Sequence, residues 1–285
     1  MILIVDSGST KTDWIALNGT GEQLFTTQTL GLNPEVLTRE IIDERLANNF
    51  QLYKDRKAVK QIYFYFFFCG TLRMRDFLKD IFQAYFSNAG IIIKEDTYAA
   101  VYATIAPEEH AIICILGTGS NCSYWDGHDL FQKITSLGYI LMDDCSGNYF
   151  GRQLLRDYYY HKIPHKLAVK FAREYDLEAD VIKNNLYKQP NPNTYLAKFA
   201  RFLIQNKDDA YSQRLIRKGI QLFIDNNIRQ YEQAEQVPVH FVGSIAYYLQ
   251  EELKIILREN NLTIGRVLRR PIEGLMEYHK GILFG

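Results

Sequence analysis

The sequence predicts an α/β protein made of two similar units, each a mixed β-sheet with helices in the order β-β-β-α-β-α-β-α. Short apolar runs alternate with amphipathic stretches through the first hundred residues, which is typical of strands alternating with helices. An apolar run, a turn rich in glycine and hydroxyl residues and a second strand-like run then occur again, with Gly8 and Gly117 separated by 109 residues. At 285 residues the chain is long enough for one large domain or two smaller ones.

The first unit is expected to begin with three strands: the run at 2–5, "DWIAL", and "EQLFTTQT" after an Asn18–Gly19 hairpin signal. Pro34 is expected to open a helix in which Ile42, Leu46 and Phe50 recur four residues apart. The following segments read in turn as strand, helix, strand and helix: "IYFYFFFC" (62–69), the stretch around 77–86, "GIIIKED" and "TYAAVYATI".

The second unit repeats this order with additional helices. Its first three strands are "AIICIL" (111–116), "NCSYW" and, after a turn at Asp126–Gly127, "HDLFQKI" (128–134). Several helical segments between about 148 and 233 precede the strand "VPVHFVGS" (237–244), the helix "IAYYLQEELKIILREN" and a terminal helix "PIEGLMEYHKGIL". We expect residues 1–107 with 271–285 to form one domain and 108–270 the other, packed together with a cleft between them.

Composition limits the partners. Lys plus Arg equals Asp plus Glu at 33 each, so overall charge favours neither a nucleic-acid nor a membrane partner. The four cysteines, Cys69, Cys114, Cys122 and Cys145, form no C-x-x-C motif and are expected in or near the core. The apolar start lacks the basic residues of a signal peptide, and we expect a cytoplasmic protein.

The two glycine- and hydroxyl-rich turns, "DSGSTKT" and "LGTGSN", have two interpretations. Each alone could be an ordinary hairpin turn, and each could present backbone N–H groups to phosphate oxygens. Neither matches the P-loop or the G-x-G-x-x-G pattern, and a strand rather than a helix follows each. Their occurrence as a pair favours a nucleotide clamp.

Two aspartates stand at strand ends, where open α/β sheets bind ligands. Asp6 could cap an Asx turn or hold a hydrated Mg²⁺ ion through its carboxylate. Asp96 ends the strand "GIIIKED" where a helix is expected to begin at Thr97, and could be a helix N-cap or a base that accepts a hydroxyl proton. The residues alone favour the capping role for Asp96.

In order, "VDSGSTKTDW", "ILGTGSNC" and "HFVGSIA" resemble the two phosphate motifs and the adenosine motif of the actin, hexokinase and sugar kinase superfamily. Within it the chain is similar to the N-acetylglucosamine kinases and to the small ATPases that activate 2-hydroxyacyl-CoA dehydratases. The resemblance implies two ribonuclease H-like lobes of the actin-like ATPase fold, with a helical elaboration in the second lobe and an interlobe cleft.

The resemblance also implies roles for individual residues. Asp96 would be the base that faces the sugar hydroxyl, and Asp6 would hold Mg²⁺. Residues that would bind ATP are Asp6, Gly8, Ser9, Thr10, Lys11, Gly117, Thr118, Gly119, Ser120, Gly243 and Ser244. Residues that would bind the hexosamine are Asn33, Gly70, Asn121, Gly138, Asp143 and Gly147.

The chain departs from the family at one segment. Where the family reads G-D-E-G-S-G, this chain has Met142, Asp143, Asp144, Cys145, Ser146 and Gly147, and Cys69 stands where a small residue is usual. These changes lie on the sugar side, so they bear on substrate identity more than on ATP binding.

The implied activity is transfer of the ATP γ-phosphoryl group, with Mg²⁺, to the 6-hydroxyl of an N-acetylated hexosamine such as N-acetylglucosamine. N-acetylmuramic acid, another amino sugar and a dehydratase-activator ATPase are the alternatives. A non-catalytic sugar sensor and an actin-like filament protein are rivals of another class. The resemblance adds a homodimer as an expectation.

Overall fold

The first strand begins with four apolar residues and lies at the centre of a sheet. In the computed structural model, which describes residues 1–8, 11–34, 37–66 and 72–285, β1 (Ile2–Ser7) pairs antiparallel with β2 (Lys11–Leu17) and parallel with β4 (Gln61–Phe66). β3 (Gln23–Leu30) and β5 (Gly90–Glu95) lie at the edges, which gives the order β3-β2-β1-β4-β5.

The helices that cover this sheet differ in one place from expectation. They are α1 (Arg39–Ala47), α2 (Phe50–Asp55), α3 (Leu72–Tyr85), α4 (Asp96–Thr104) and the terminal helix α13 (Pro271–Phe284). The single helix expected from Pro34 through Phe50 is wrong: α1 begins at Arg39, and the side chain of Asn49 accepts from the backbone of Leu52 to cap a second helix. Phe50, 74% exposed at the start of α2, is not part of the core.

An aromatic cluster fills one face of the first sheet. Trp14 is fully buried, and its ring lies 6.3–6.4 Å from the rings of Phe64, Phe82 and Phe86. α4 and α13 pack against each other, with Gly274 close against Ala103. Burial of so much aromatic surface provides the main stabilisation of this unit.

The second sheet has the same plan. β6 (Ala111–Leu116) pairs antiparallel with β7 (Ser120–Trp125) and parallel with β9 (Pro238–Val242), and the order is β10-β9-β6-β7-β8. The third strand, expected over 128–134, is only Leu130–Phe131 (β8). The last strand, β10 (Thr263–Leu268), is a strand for which the sequence analysis gave no segment.

Helices make up nearly half of the second unit. They are α5 (Gly147–Tyr159), α6 (His165–Glu174), α7 (Ala179–Tyr187), α8 (Pro192–Ala197), α9 (Ala200–Gln205), α10 (Ala210–Asn226), a 3₁₀ turn (Ile228–Gln230), α11 (Ser244–Tyr248) and α12 (Gln250–Glu259). The expected helix after β9 is therefore two helices, with a break at buried Leu249.

The chain divides into two units, Met1–Ile105 with Arg270–Gly285, and Ala106–Arg269. In each, the first strand lies between the second and fourth, and the third and fifth lie at the edges. This shared order confirms the predicted duplication of a β-β-β-α-β-α-β plan. Within the described ranges, no helix has both the length and the apolar character needed to cross a membrane.

Candidate active site

The first turn is closed by short-range contacts. The backbone N–H of Gly8 donates to the carbonyl of Lys11 at 3.0 Å, and the buried hydroxyls of Ser7 and Thr12 lie 2.7 Å apart. Ser9 and Thr10, which were expected to bind phosphate, lie outside the described residues. Gly8 and Lys11 are exposed on the turn, where both can reach a ligand.

Asp6 and Asp96, the two predicted site aspartates of the first unit, interact electrostatically. The pKa of Asp6 is raised from 3.8 to about 7. Burial is the largest cause of this increase, and the negative charge of Asp96 is the second. Burial, then the charge of Glu95, raises the pKa of Asp96 from 3.8 to about 7. Two carboxyl groups that titrate near neutrality, in one place, are typical of a functional site.

Asp96 is the first residue of α4, and the N-cap is Glu95, whose side chain makes no capping hydrogen bond. The capping role that the residues alone favoured for Asp96 is therefore wrong in position by one residue. The backbone N–H groups of Asp96 and Thr97 still donate to its carboxylate and lower its pKa. The buried hydroxyl of Thr97, next to it, has no hydrogen-bond partner among the described residues.

Asp13 is a site residue that the sequence analysis missed. It is 7% exposed and pairs directly with Asp6 across β1 and β2. Its carboxylate lies 2.9 Å from the ammonium of Lys11, accepts from Gln28 Nε2 at 2.6 Å and is 3.7 Å from a guanidinium nitrogen of Arg270. Lys11 and Arg270 both lower the pKa of Asp6, so this group sets the charge beside the first turn.

Asp6 and Asp13 belong to a polar row that crosses all five strands of the first sheet. Direct register pairs link, in order, Gln28, Asp13, Asp6, Tyr65 and Lys94. The hydroxyl of Tyr65 lies 2.8 Å from Nε2 of His279, and Lys94 donates to Tyr102 at 2.6 Å. Each strand has a polar residue in this row, but the alignment of these residues depends on strand register, which the sequence alone does not give.

The second turn is fixed by the start of α5. The N–H of Gly117 donates to the carbonyl of Gly119 at 2.9 Å, and the N–H of Gly147 donates to the carbonyl of Gly117 at 2.8 Å. Asn148 donates through Nδ2 to the carbonyl of Thr118 at 2.7 Å and to Asp143 at 2.8 Å. The carbonyl oxygen of the Asn148 side chain is buried and unpartnered among the described residues.

Glycine at position 119 allows the close approach of the Asp143 side chain. A Cβ atom there would lie 2.8 Å from a carboxylate oxygen of Asp143, closer than real Cβ atoms come. Burial raises the pKa of Asp143, whereas hydrogen bonds from Asn148 and Ser120 and the charge of Arg152 lower it. The turn and the carboxylate therefore form one structural group.

The segment where the chain departs from its family has a left-handed backbone. Asp143 has φ 68° and Cys145 has φ 60°, a region that favours glycine. Cys145 stands where the family has glycine, and its side chain is 1% exposed. Gly138, another predicted sugar residue, has φ 78°, and its carbonyl accepts from Leu141 and Met142.

A cleft of about 200 Å³ lies beside Asp143 within the second unit. It brings together Ser120, Asn121 and Asp143, which the sequence analysis assigned to the site, and adds Asp144. The side chain of Asn226, at the end of α10, donates to Asp144 at 2.8 Å. Asn226 is a second residue that sequence reasoning missed, because the contact joins positions 82 apart in the chain.

Gly243, predicted to border adenosine, lies against the end of β6. Its φ is 123°, and a Cβ atom would lie 2.3 Å from the carbonyl oxygen of Leu116. Ser244 begins α11 directly after it. The structure thus places Gly243 and Ser244 next to the Gly117 turn.

Three further residues were predicted to bind the sugar: Asn33, Gly70 and Gly147. Asn33 follows β3 and is half-buried, and its carbonyl accepts from the N–H of Leu37 at 3.1 Å. Gly70 and Cys69 lie outside the described residues. Gly147, by contrast, contacts the second turn directly.

The fold is similar to that of solved sugar kinases. A ROK family glucokinase from Streptomyces griseus, solved with glucose and AMPPNP, superposes with a TM-score of 0.60 at 14% identity over 97% of each chain, which shows the fold alone. The fold is that of the two-lobed sugar kinases in the actin-like ATPase superfamily.

A candidate N-acetylglucosamine kinase from Porphyromonas gingivalis is 33% identical over 99% of both chains, with a TM-score of 0.91. The chain belongs to the N-acetylglucosamine kinase-like family of the actin, hexokinase and sugar kinase superfamily. A second candidate N-acetylglucosamine kinase, from Chromobacterium violaceum, shares the fold with a TM-score of 0.72 at 15% identity over 97% of this chain and 98% of its own. No family model and no curated protein sequence matches the chain.

Proposed function

We propose that the protein is an ATP-dependent kinase that phosphorylates the 6-hydroxyl of an N-acetylated hexosamine, with N-acetylglucosamine as the acceptor. The observation that carries the proposal is Asp96, a carboxyl group at the end of β5 whose pKa is raised to about 7. The 33% identity to a candidate N-acetylglucosamine kinase supports the substrate class.

Asp96 would act as the base. A carboxyl group with a pKa near the working pH is ionised in part and still accepts a proton readily in the transition state. It would orient the sugar hydroxyl and remove its proton as the phosphoryl group is transferred. The backbone N–H groups of Asp96 and Thr97 that donate to the carboxylate would keep it in one orientation.

The two turns would bind the phosphate groups of ATP. Phosphoryl transfer depends mainly on positioning and on neutralising charge, which backbone N–H groups and Lys side chains supply. Gly8 to Lys11 and Gly117 to Ser120 would contribute N–H groups, and Lys11 its charge. Gly243 and Ser244 would border the adenosine.

The residues present also fit a magnesium ion. Mg²⁺ prefers one or two carboxylates together with water and phosphate oxygens, and Asp6 is a carboxyl group whose pKa is raised by burial and then by the negative charge of Asp96. A cation there would remove that repulsion. When bound, the ion supplies charge neutralisation to the phosphate groups, and Asp6 would hold it.

The three cysteines that lie in the described residues do not favour the dehydratase-activator alternative. Cys114, Cys122 and Cys145 are free thiols buried in the core of the second unit. Burial raises the pKa of each of Cys114 and Cys145. Cysteines that hold an iron–sulfur cluster at a subunit interface must reach the surface as thiolates.

The test is Asp96→Asn, a change that preserves shape but removes the base. Turnover of N-acetylglucosamine is measured by the release of ADP. We expect it to fall by about 10³-fold, within the range attributed to general base catalysis. ATP binding, measured by calorimetry, should change less than threefold. Asp80→Asn, on the exposed surface of α3, is the matched control.

Wild-type turnover in Asp96→Asn would show that Asp96 is not the base. Failure of the wild-type protein to phosphorylate any sugar in a panel of amino sugars and hexoses would disprove the kinase proposal itself. The position of the phosphate in the product is read by NMR.

A further inference from the structure

The cleft beside Asp143, here called the acidic cleft, has a charge pattern that bears on the choice of sugar. Among the residues that line it, the charged ones are Asp143 and Asp144. Both are half-buried and each is held by an amide, Asp143 by Asn148 and Asp144 by Asn226, at 2.8 Å. Their negative charge therefore has a fixed place in the cleft.

Arg152 and Lys133, two cations that do not line the cleft, donate to backbone carbonyls. Arg152, whose charge lowers the pKa of Asp143, donates to the carbonyls of Tyr139 and Ile140 at 2.8 and 3.1 Å. Lys133 donates to the carbonyl of Gln230 at 3.1 Å. An anionic group in the acidic cleft would face two carboxylates without a counter-ion among the lining residues.

The acidic cleft offers hydrogen-bonding groups and apolar surface to an uncharged substituent. The side chains of Ser120, Ser136 and Asn227 line the cleft and make no hydrogen bond to another residue in the described ranges, so each is available to an amide or a hydroxyl. Ile134, Leu141 and Met142 provide apolar surface for a methyl group. An acetamido group combines these two requirements, and the cleft volume of about 200 Å³ is sufficient for it.

We propose that the acidic cleft binds the uncharged substituents on C-2 and C-3 of the hexosamine, and that Asp143 and Asp144 exclude hexosamines that carry a carboxylate. The inference rests on the proposed kinase function. The family resemblance leaves both N-acetylglucosamine and its 3-O-lactyl ether, N-acetylmuramic acid, as candidate substrates. The inference goes further because it predicts that the protein discriminates between them.

The experiment uses the full chain with Mg-ATP at low salt and compares N-acetylmuramic acid with its methyl ester. The two sugars have nearly the same bulk, and only the acid is charged. Each is measured as an inhibitor of N-acetylglucosamine phosphorylation and as a substrate. Since unit charges near a protein surface repel each other appreciably, we expect the ester to bind at least about tenfold more tightly than the acid.

The variant Asp144→Asn removes one charge with little change in shape. We expect it to narrow the ratio of ester to acid affinity by about threefold to tenfold. The control Asp180→Asn makes the same change on α7, where the side chain is 83% exposed, and should leave the ratio unchanged. If Asp144→Asn does not fold, raising the salt concentration to 0.5 M with the wild-type protein should narrow the ratio by screening.

Equal affinity for acid and ester, or preference for the acid, would overturn the inference while leaving the kinase proposal in place. Failure of both compounds to inhibit would show that the cleft does not receive the C-3 substituent, which also overturns it. Absence of any phosphorylation of N-acetylglucosamine would instead disprove the kinase proposal, and the inference with it.

Discussion

The pair Asp6 and Asp96 weakens the fold at the pH where the carboxylates are needed. Because the pKa of each is raised from 3.8 to about 7, the folded chain binds more protons than the unfolded chain between these values. The contribution of these groups to stability therefore decreases as pH rises from about 4 to about 7. Selection for stability alone would remove such carboxyl groups, so their presence supports a functional role.

The raised pKa of Asp96 gives a pH dependence. Only the ionised form accepts a proton, so kcat/KM for the sugar at saturating Mg-ATP should fall as pH decreases below about 7, approaching tenfold per pH unit. The rate is measured between pH 5.5 and 8.5, with circular dichroism at each pH to confirm folding. A flat profile over this range would contradict the assignment.

Cys145 is unusual because a buried side chain sits on a left-handed backbone, with φ 60°. In most positions glycine destabilises a protein relative to alanine, since it loses more backbone freedom on folding. At position 145 the left-handed conformation penalises every residue with a Cβ atom. At this position we therefore expect a glycine variant to be more stable than an alanine variant, which is the reverse of the usual order.

We expect Cys145→Gly to be more stable than Cys145→Ala by about 1 kcal/mol, because both lose the thiol but only glycine avoids the backbone penalty. Urea unfolding of the two variants measures the difference. Cys114→Gly and Cys114→Ala, in the extended backbone of β6, form the control pair and should show the usual order. An alanine variant as stable as the glycine variant at 145 would contradict the strain argument.

At the scale of elements, the helix boundaries depend on capping residues, which the spacing of apolar residues does not reveal. Ile42 and Leu46 are buried as predicted, whereas Asn49 interrupts the helix because its side chain caps the next one. The third strand of the second unit is short, since Asp126 accepts from the backbone of His128 and Asp129 and extends the turn. Side chains that bond to the backbone compete with secondary structure.

The terminal helix α13 provides an element-scale test with an internal control. A Cβ atom at Gly274 would lie 2.4 Å from the carbonyl oxygen of Ala103 in α4, whereas one at Gly281 would have no neighbour within 4 Å. Gly274→Ala should destabilise the protein by about 1–3 kcal/mol through overpacking. Gly281→Ala should be neutral or stabilise it by up to about 1 kcal/mol, since alanine favours helix.

Thermal unfolding of the two variants measures this difference. The melting temperature of Gly274→Ala should fall by several degrees and that of Gly281→Ala should not fall. Equal melting temperatures would mean that α4 and α13 can separate without cost, which contradicts the close packing at Ala103.

At the scale of the whole molecule, the fold was more predictable than the site. The order of strands and helices followed from local patterns, and each unit builds its sheet in the same order. The aspartates and glycines at strand ends could also be named, because these residue types have restricted uses. What could not be named were Asp13, Arg270 and Asn226, which contact the site from other elements.

These residues reach the site through contacts between distant parts of the chain. The first unit joins the beginning of the chain to Arg270–Gly285, and this brings Arg270 to 3.7 Å from Asp13. Within the second unit, Asn226 at the end of α10 reaches Asp144. No local pattern reports such contacts, because they depend on sheet register and helix packing.

The element order, the two paired turns and the residue types available for phosphate, metal and base could be predicted from the sequence, since these depend on local backbone and side-chain chemistry. The raised pKa values of Asp6 and Asp96, the left-handed backbone of Cys145 and the two carboxylates that line one cleft arise from the tertiary structure. Burial, charge and shape at a site are set by groups far apart in the chain, so they exist only after folding.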